Sequence, residues 1–198
     1  MEEIEGSNNF AREILTWSKR EVSDYQKLDR IIHADKRNFI NCKPLGSNHS
    51  EYVDKNGRIE IPYLDIQEDC PPVSYKCGQF FIDRTLVQGR SRIMPYIRID
   101  GSLSEDFKFN VLTHEYGHYL SWKNKMRPDG YEIAMALYSN RLLWPRMTDE
   151  DKGMILGEEK LAWDLGIDFV KRSGFKLSPA FHRRKRSALL SYKKGLGI

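Results

Sequence analysis

Val111-Leu-Thr-His114-Glu115-Tyr-Gly-His118-Tyr-Leu120 is the stretch on which the reading of this chain turns. The two histidines stand four residues apart, so on a helix both imidazoles leave one face, a turn from each other. Two nitrogens so placed can bind one Zn²⁺ at about 2.0–2.1 Å each. Glu115 follows the first histidine and points beside the metal, where a carboxylate can take a proton from a water that the metal has acidified. H-E-x-x-H on a helix is a zinc metallopeptidase pattern. With five His and fourteen Glu in 198 residues, random placement produces it in roughly 1% of chains, so the match carries information.

The hydrophobic period on either side supplies the frame. Ser104 is suited to cap the motif helix, Glu105 and Asp106 occupy the first turn where the dipole favours anions, and the helix is predicted to reach about Lys123. Pro128-Asp129-Gly130 is a turn, after which Tyr131 to Trp144 reads as a helix stopped before Pro145. Thr148 can cap a third helix running to Arg172 and ending at Gly174. Ser178-Pro179 opens a basic helix through about Tyr192. Ahead of the motif, Phe80 to Leu86 and Ile93 to Ile99 read as strands, with Pro95 placing the second at a sheet edge. Asn56-Gly57, inside Tyr52 to Tyr63, is a hairpin signal, and residues 41–50 have the composition of a loop. From Asn8 to about Ile32 apolar residues recur at helical steps. Helix, mixed strands, then helices make an α+β fold.

The 198 residues suit one domain, and 12% aromatics with 40% hydrophobics supply a core and exclude global disorder. No stretch approaches the roughly 18 uninterrupted apolar residues of a membrane span. The opening MEEIEGSNNF lacks a basic region followed by an apolar one, so no secretory signal is expected. Cys42, Cys70 and Cys77 are odd in number and contain no C-x-x-C pair, which reads as reduced thiols and a cytoplasmic location.

A peptidase zinc needs a third protein ligand and an open fourth position. The metzincin continuation would place Gly at 121 and His at 124, but Ser121 and Asn124 stand there, and the inverted H-x-x-E-H is absent. A downstream carboxylate on another helix remains, and Gly157-Glu158-Glu159-Lys-Leu-Ala162-Trp163-Asp164 supplies one. Together, His114-Glu-Tyr-Gly-His118 and Glu159-Lys-Leu-Ala162 resemble gluzincin-type metallopeptidases, most of all the small cytosolic ImmA/IrrE-like group of phages and mobile elements. The resemblance covers roughly residues 90–170. It implies a zincin-like fold, with a small mixed or antiparallel sheet, an active-site helix and a helical C-terminal half. It implies zinc held by His114, His118 and Glu159, with Glu158 as the alternative third ligand, and Glu115 as the catalytic base. Where many relatives carry Asn or Asp after the alanine, this chain has Trp163, and Asp164, one position on, reads either as a carboxylate supporting a zinc histidine or as a surface acid. The resemblance also implies an edge strand that pairs with an extended peptide, and Arg92 to Asp100 stands in that place. Tyr131, Tyr138, His182 and Tyr192 are candidates by type for stabilising an oxyanion, while His33 and His49 read as surface or loop residues.

Charge is unevenly spread. From Lys171 onward there are nine Lys/Arg and no acid, while the first 170 residues hold 23 basic and 28 acidic side chains. Residues 1–175 therefore read as a single zincin-like domain and 176–198 as a basic, separable helix. Its cations suit nucleic-acid phosphates, an acidic protein partner, or plain solvation. The leading expectation is a zinc peptidase acting on an intracellular protein. The alternative is an accessory protein on the same scaffold, binding nucleic acid or a partner through its basic C-terminus with little or no peptidase activity.

Overall fold

A computed structural model describes residues 22–34, 42–45, 49–52, 64–69, 77–87 and 90–198. In chain order the elements are α1 (Asp24–Ala34), β1 (Cys42–Leu45), β2 (His49–Tyr52), β3 (Asp65–Asp69), β4 (Gly78–Val87) and β5 (Arg90–Asp100). There follow α2 (Glu105–Lys123), α3 (Tyr131–Ser139), a 3₁₀ turn (Arg141–Arg146), α4 (Asp149–Arg172) and α5 (Pro179–Leu196). The chain is thus α+β. The Asn56-Gly57 signal and the first part of the helix expected from Asn8 lie outside the described residues. Residues 41–50 were expected as a loop, but β1 and β2 pair there antiparallel, Cys42 opposite Tyr52 and Leu45 opposite His49. Pairing between strands is non-local and leaves little trace in polar, proline-bearing composition.

The main sheet has the order β3-β5-β4, parallel between β3 and β5 and antiparallel between β4 and β5. This corrects the expectation that Pro95 marks an edge, since β5 is the central strand. Phe80, opposite Ile97, turns its amide away from β5 and donates it to Glu115 Oε2 at 2.7 Å. Pro95, opposite Ile82, is two residues along and sits in the same non-hydrogen-bonded kind of pair. Its nitrogen therefore faces the β3 side, where pairing starts only at Asp65 with Tyr96. Among the described residues the missing N–H forfeits no ladder bond, and the proline is tolerated inside.

Helix α2 lies between this sheet and α4. Ile97, Ile99, Leu112, Val111, Tyr116 and Tyr119 form the core, joined by Leu28 and Ile32 from α1. Because α2 is covered on several sides, residues 108–119 are all buried and the helix has no clean polar face. Its N-cap is Ser104 as expected, though the side chain closes no capping bond. Thr148 and Asp151 form a full capping box at the start of α4. The helix expected to continue to Trp144 breaks at Asn140 instead. Asn140 turns its side chain to accept Leu142 N–H at 3.1 Å, and the chain tightens into a 3₁₀ turn that holds Pro145.

Helix α5 runs one turn beyond Tyr192 and is capped by Gly197 at φ 71°. It packs on both halves of the core. Phe181 is buried against Phe109 and Trp163, and Leu196 joins Ala134, Ile155 and Leu156 in a second cluster. Lys185 pairs with Asp164 at 2.6 Å, and Arg184 donates to the Asp106 carbonyl at 3.1 Å. This packing argues against cutting the chain near Lys176 without loss to the body. Among the described residues no helix is long and apolar enough to cross a membrane.

Candidate metal centre

Two antiparallel helices make the site, and small residues at four-residue steps set their separation. On α2 these are Thr113, Gly117 and Ser121; on α4 Gly166 and Ala162 face the first two, and Glu158 accepts from Ser121. A Cβ on Gly117 would overlap the Ala162 carbonyl, and one on Gly166 would overlap the Thr113 carbonyl. The backbones are therefore in contact. Side chains flanking this seam are carried across the gap onto the neighbouring helix.

Glu159 is carried onto the two histidines. Its Oε2 lies 3.1 Å from His114 Nε2 and its Oε1 lies 3.5 Å from His118 Nε2. One ligand atom from each of His114, His118 and Glu159 falls within 4.8 Å of the other two, and all three residues are buried. Glu159 Oε2 has no hydrogen-bond partner despite its nearness to His114. The lone pairs converge on a common point without satisfying each other. Buried carboxylate oxygens without partners are rare, and these three donors together could hold a cation. Two imidazoles and one carboxylate are a donor set suited to zinc.

Glu158, the alternative third ligand, belongs to a different contact set. Its Oε1 is 3.3 Å from His118 Nδ1 and its Oε2 accepts from Ser121 Oγ at 2.9 Å. It thus sits behind the histidine and not beside Glu159. Asp164, offered as that supporting acid, instead faces outward to Lys185. Behind His114 stands Trp163, stacked on the imidazole with ring centroids 4.5 Å apart.

The acids govern the proton on His118. Burial alone would lower its pKa, but Glu159, with Glu158 and Glu115, more than offsets this and raises it to about 10. Glu159 is held well below the usual carboxylate range, burial being outweighed by His118 and His114. Glu115 is buried beside the histidines, with Phe80 N–H fixing one oxygen.

Of the four oxyanion candidates, Tyr192 is the one on which both Glu159 and Glu115 act. Burial, together with the negative charges of Glu159 and Glu115, holds its pKa far above the phenol range. It stays a protonated donor. Tyr138 stands beside it, ring centroids 6.4 Å apart, stacked on Trp144. Tyr131 is taken up under Arg127, and His182 packs on Phe181. His33 caps its own helix, with Nδ1 2.7 Å from the Asp29 carbonyl.

The edge of the sheet nearest Glu115 is β4, so the peptide-pairing role expected of Arg92 to Asp100 does not fit the central β5. The sequence carried a signal for the seam in its four-residue spacing of small residues. For Arg127 and for the Phe80 amide it carried none. No family model, curated protein or solved structure matches the chain.

Proposed function

We propose that the chain is a zinc-dependent peptidase of gluzincin type, with His114, His118 and Glu159 as ligands and Glu115 as general base. The observation that carries this is the convergence of three buried donors, one of them an unpartnered carboxylate oxygen, with a further carboxylate next to the first histidine. When bound, zinc supplies Lewis acidity toward a carbonyl and makes a water nucleophilic near neutral pH. Glu115 would be the base for a water and the acid for the leaving amine. Phe80 N–H restrains the Glu115 rotamer and leaves the second carboxylate oxygen to do this. Tyr192, kept protonated by burial and by the charges of Glu159 and Glu115, would be the donor to an oxyanion on the substrate. The outward edge of β4, continuing from Phe80, offers main-chain groups to an extended peptide.

Elemental analysis is expected to find one zinc per chain, lost in His118→Ala. Equal metal in that variant, or none in the unsubstituted chain, overturns the assignment. The pKa of His118 adds a second readout. Its folded value lies above the unfolded one, so the proton's contribution to stability is complete below about pH 6.5 and disappears as pH rises through about 10. A zinc ligand must give that proton up. Zinc uptake near pH 7 should therefore release about one proton per chain and tighten as pH rises. Calorimetry in two buffers of different ionisation enthalpy measures this, and uptake without proton release would contradict it.

A further inference from the structure

Arg127 lies in the connection between α2 and α3, and its position there is set by the end of α2. Lys125 takes φ 53°, a left-handed conformation that a lysine adopts only when held. Lys125 N–H bonds the Trp122 carbonyl and Met126 N–H bonds the Ser121 carbonyl, a Schellman closure that turns the chain back over the helix end. The guanidinium so delivered is shielded, its side chain 14% exposed. Nε sits 3.2 Å from Glu158 Oε1. Its Cζ lies 4.9 Å from the ring centroid of Tyr131 and 5.6 Å from that of Phe80. Nη1 reaches Glu132 at 3.0 Å.

Glu158 is fully buried and faces His118 Nδ1, while Phe80 is the residue whose amide holds Glu115. One cation therefore touches both the carboxylate behind a metal histidine and the strand residue behind the base. A carboxylate buried this deeply also requires a counter-charge. We propose that Arg127 is a positioning residue for the metal centre: it fixes Glu158, and through it the orientation of His118, by combining an ion pair with aromatic stacking on Phe80 and Tyr131. This rests on the metal reading above.

The planar guanidinium does both tasks at once, which an ammonium cannot. Partners behind a metal histidine typically change affinity 10- to 100-fold. Zinc affinity, measured by competition with a chromogenic chelator, is therefore expected to fall about 10- to 100-fold in Arg127→Gln and in Glu158→Gln. The double variant should bind about as weakly as the weaker single, because the two residues act as a unit. Arg127→Lys should not recover the unsubstituted affinity, and Glu132→Gln, at an exposed partner, should keep it. Circular-dichroism melts ensure that each titration is made on folded protein. Glu158→Gln keeps the volume and Arg127→Lys keeps the charge, so the comparison does not depend on a disruptive variant. Unchanged zinc affinity in the single variants, independent effects in the double, or full recovery by lysine overturns the proposal while leaving the metal reading intact. A chain that takes up no zinc at all overturns both.

Discussion

Glu115→Gln is expected to lower hydrolysis by about 10²–10⁴-fold while zinc uptake stays at one per chain. The two halves of that result have separate causes. Glutamine keeps the shape of the side chain, and its amide oxygen can still accept Phe80 N–H, so the residue stays where it is. It lacks a basic oxygen, so it cannot take a proton from water or deliver one to an amine. Glu115 is outside the converging group of His114, His118 and Glu159, so the donors around the metal are untouched. The measurement is a paired one, with elemental analysis and digestion of a peptide library by the same preparations. Undiminished cleavage would remove Glu115 from the chemistry. Loss of zinc together with cleavage would place it among the ligands instead.

What could be read ahead of the structure was local. The bounds of α2, the Thr148 box and the Ser178-Pro179 start of α5 follow from capping chemistry within a few residues of each site. Glu159 was reachable only through a resemblance, because forty residues separate it from His118 and spacing along one helix says nothing of another. The readings that failed concern contacts between distant segments. Pro95 suggested an edge because a proline usually removes a ladder bond. Here the register directs its nitrogen to the place where β3 has not yet begun. The C-terminal basic run reads as a separable helix from its charge, while Phe181, Leu189, Leu190 and Tyr192 already indicate a packing face. On α5 the inward positions Phe181, Lys185, Ala188, Leu189, Tyr192 and Leu196 fall at three- and four-residue steps, and they carry the helix onto the core and the site. Arg183, Arg186, Lys193 and Lys194 remain on its exposed side. The same helix thus carries an inward face that packs on the core and a cationic surface turned to solvent.

Alanine at Gly117 is expected to destabilise the fold by about 3 kcal/mol or more, at or beyond the upper end of ordinary overpacking, and to abolish high-affinity zinc binding. In a free helix the same change would help, because glycine is less favourable than alanine by about 1 kcal/mol. The sign reverses here because the new methyl would meet a main-chain carbonyl, that of Ala162, and not the end of a side chain that can swing aside. Helices α2 and α4 can relieve the overlap only by parting, and Glu159 rides on α4. Separation draws its carboxylate away from His114 and His118, which stay on α2, so the loss of zinc follows from the same displacement as the loss of stability. Gly157 provides the internal control, for it lies on α4 with nothing within 4 Å of its Cβ direction. Gly157→Ala should raise stability by up to about 1 kcal/mol and leave zinc affinity alone. Thermal melts with and without zinc, run on both variants, distinguish a general effect of helix propensity from contact at the seam. If Gly117→Ala melted no lower than the unsubstituted chain, the two backbones would not touch at that point, and the convergence of the three donors would lose its structural cause.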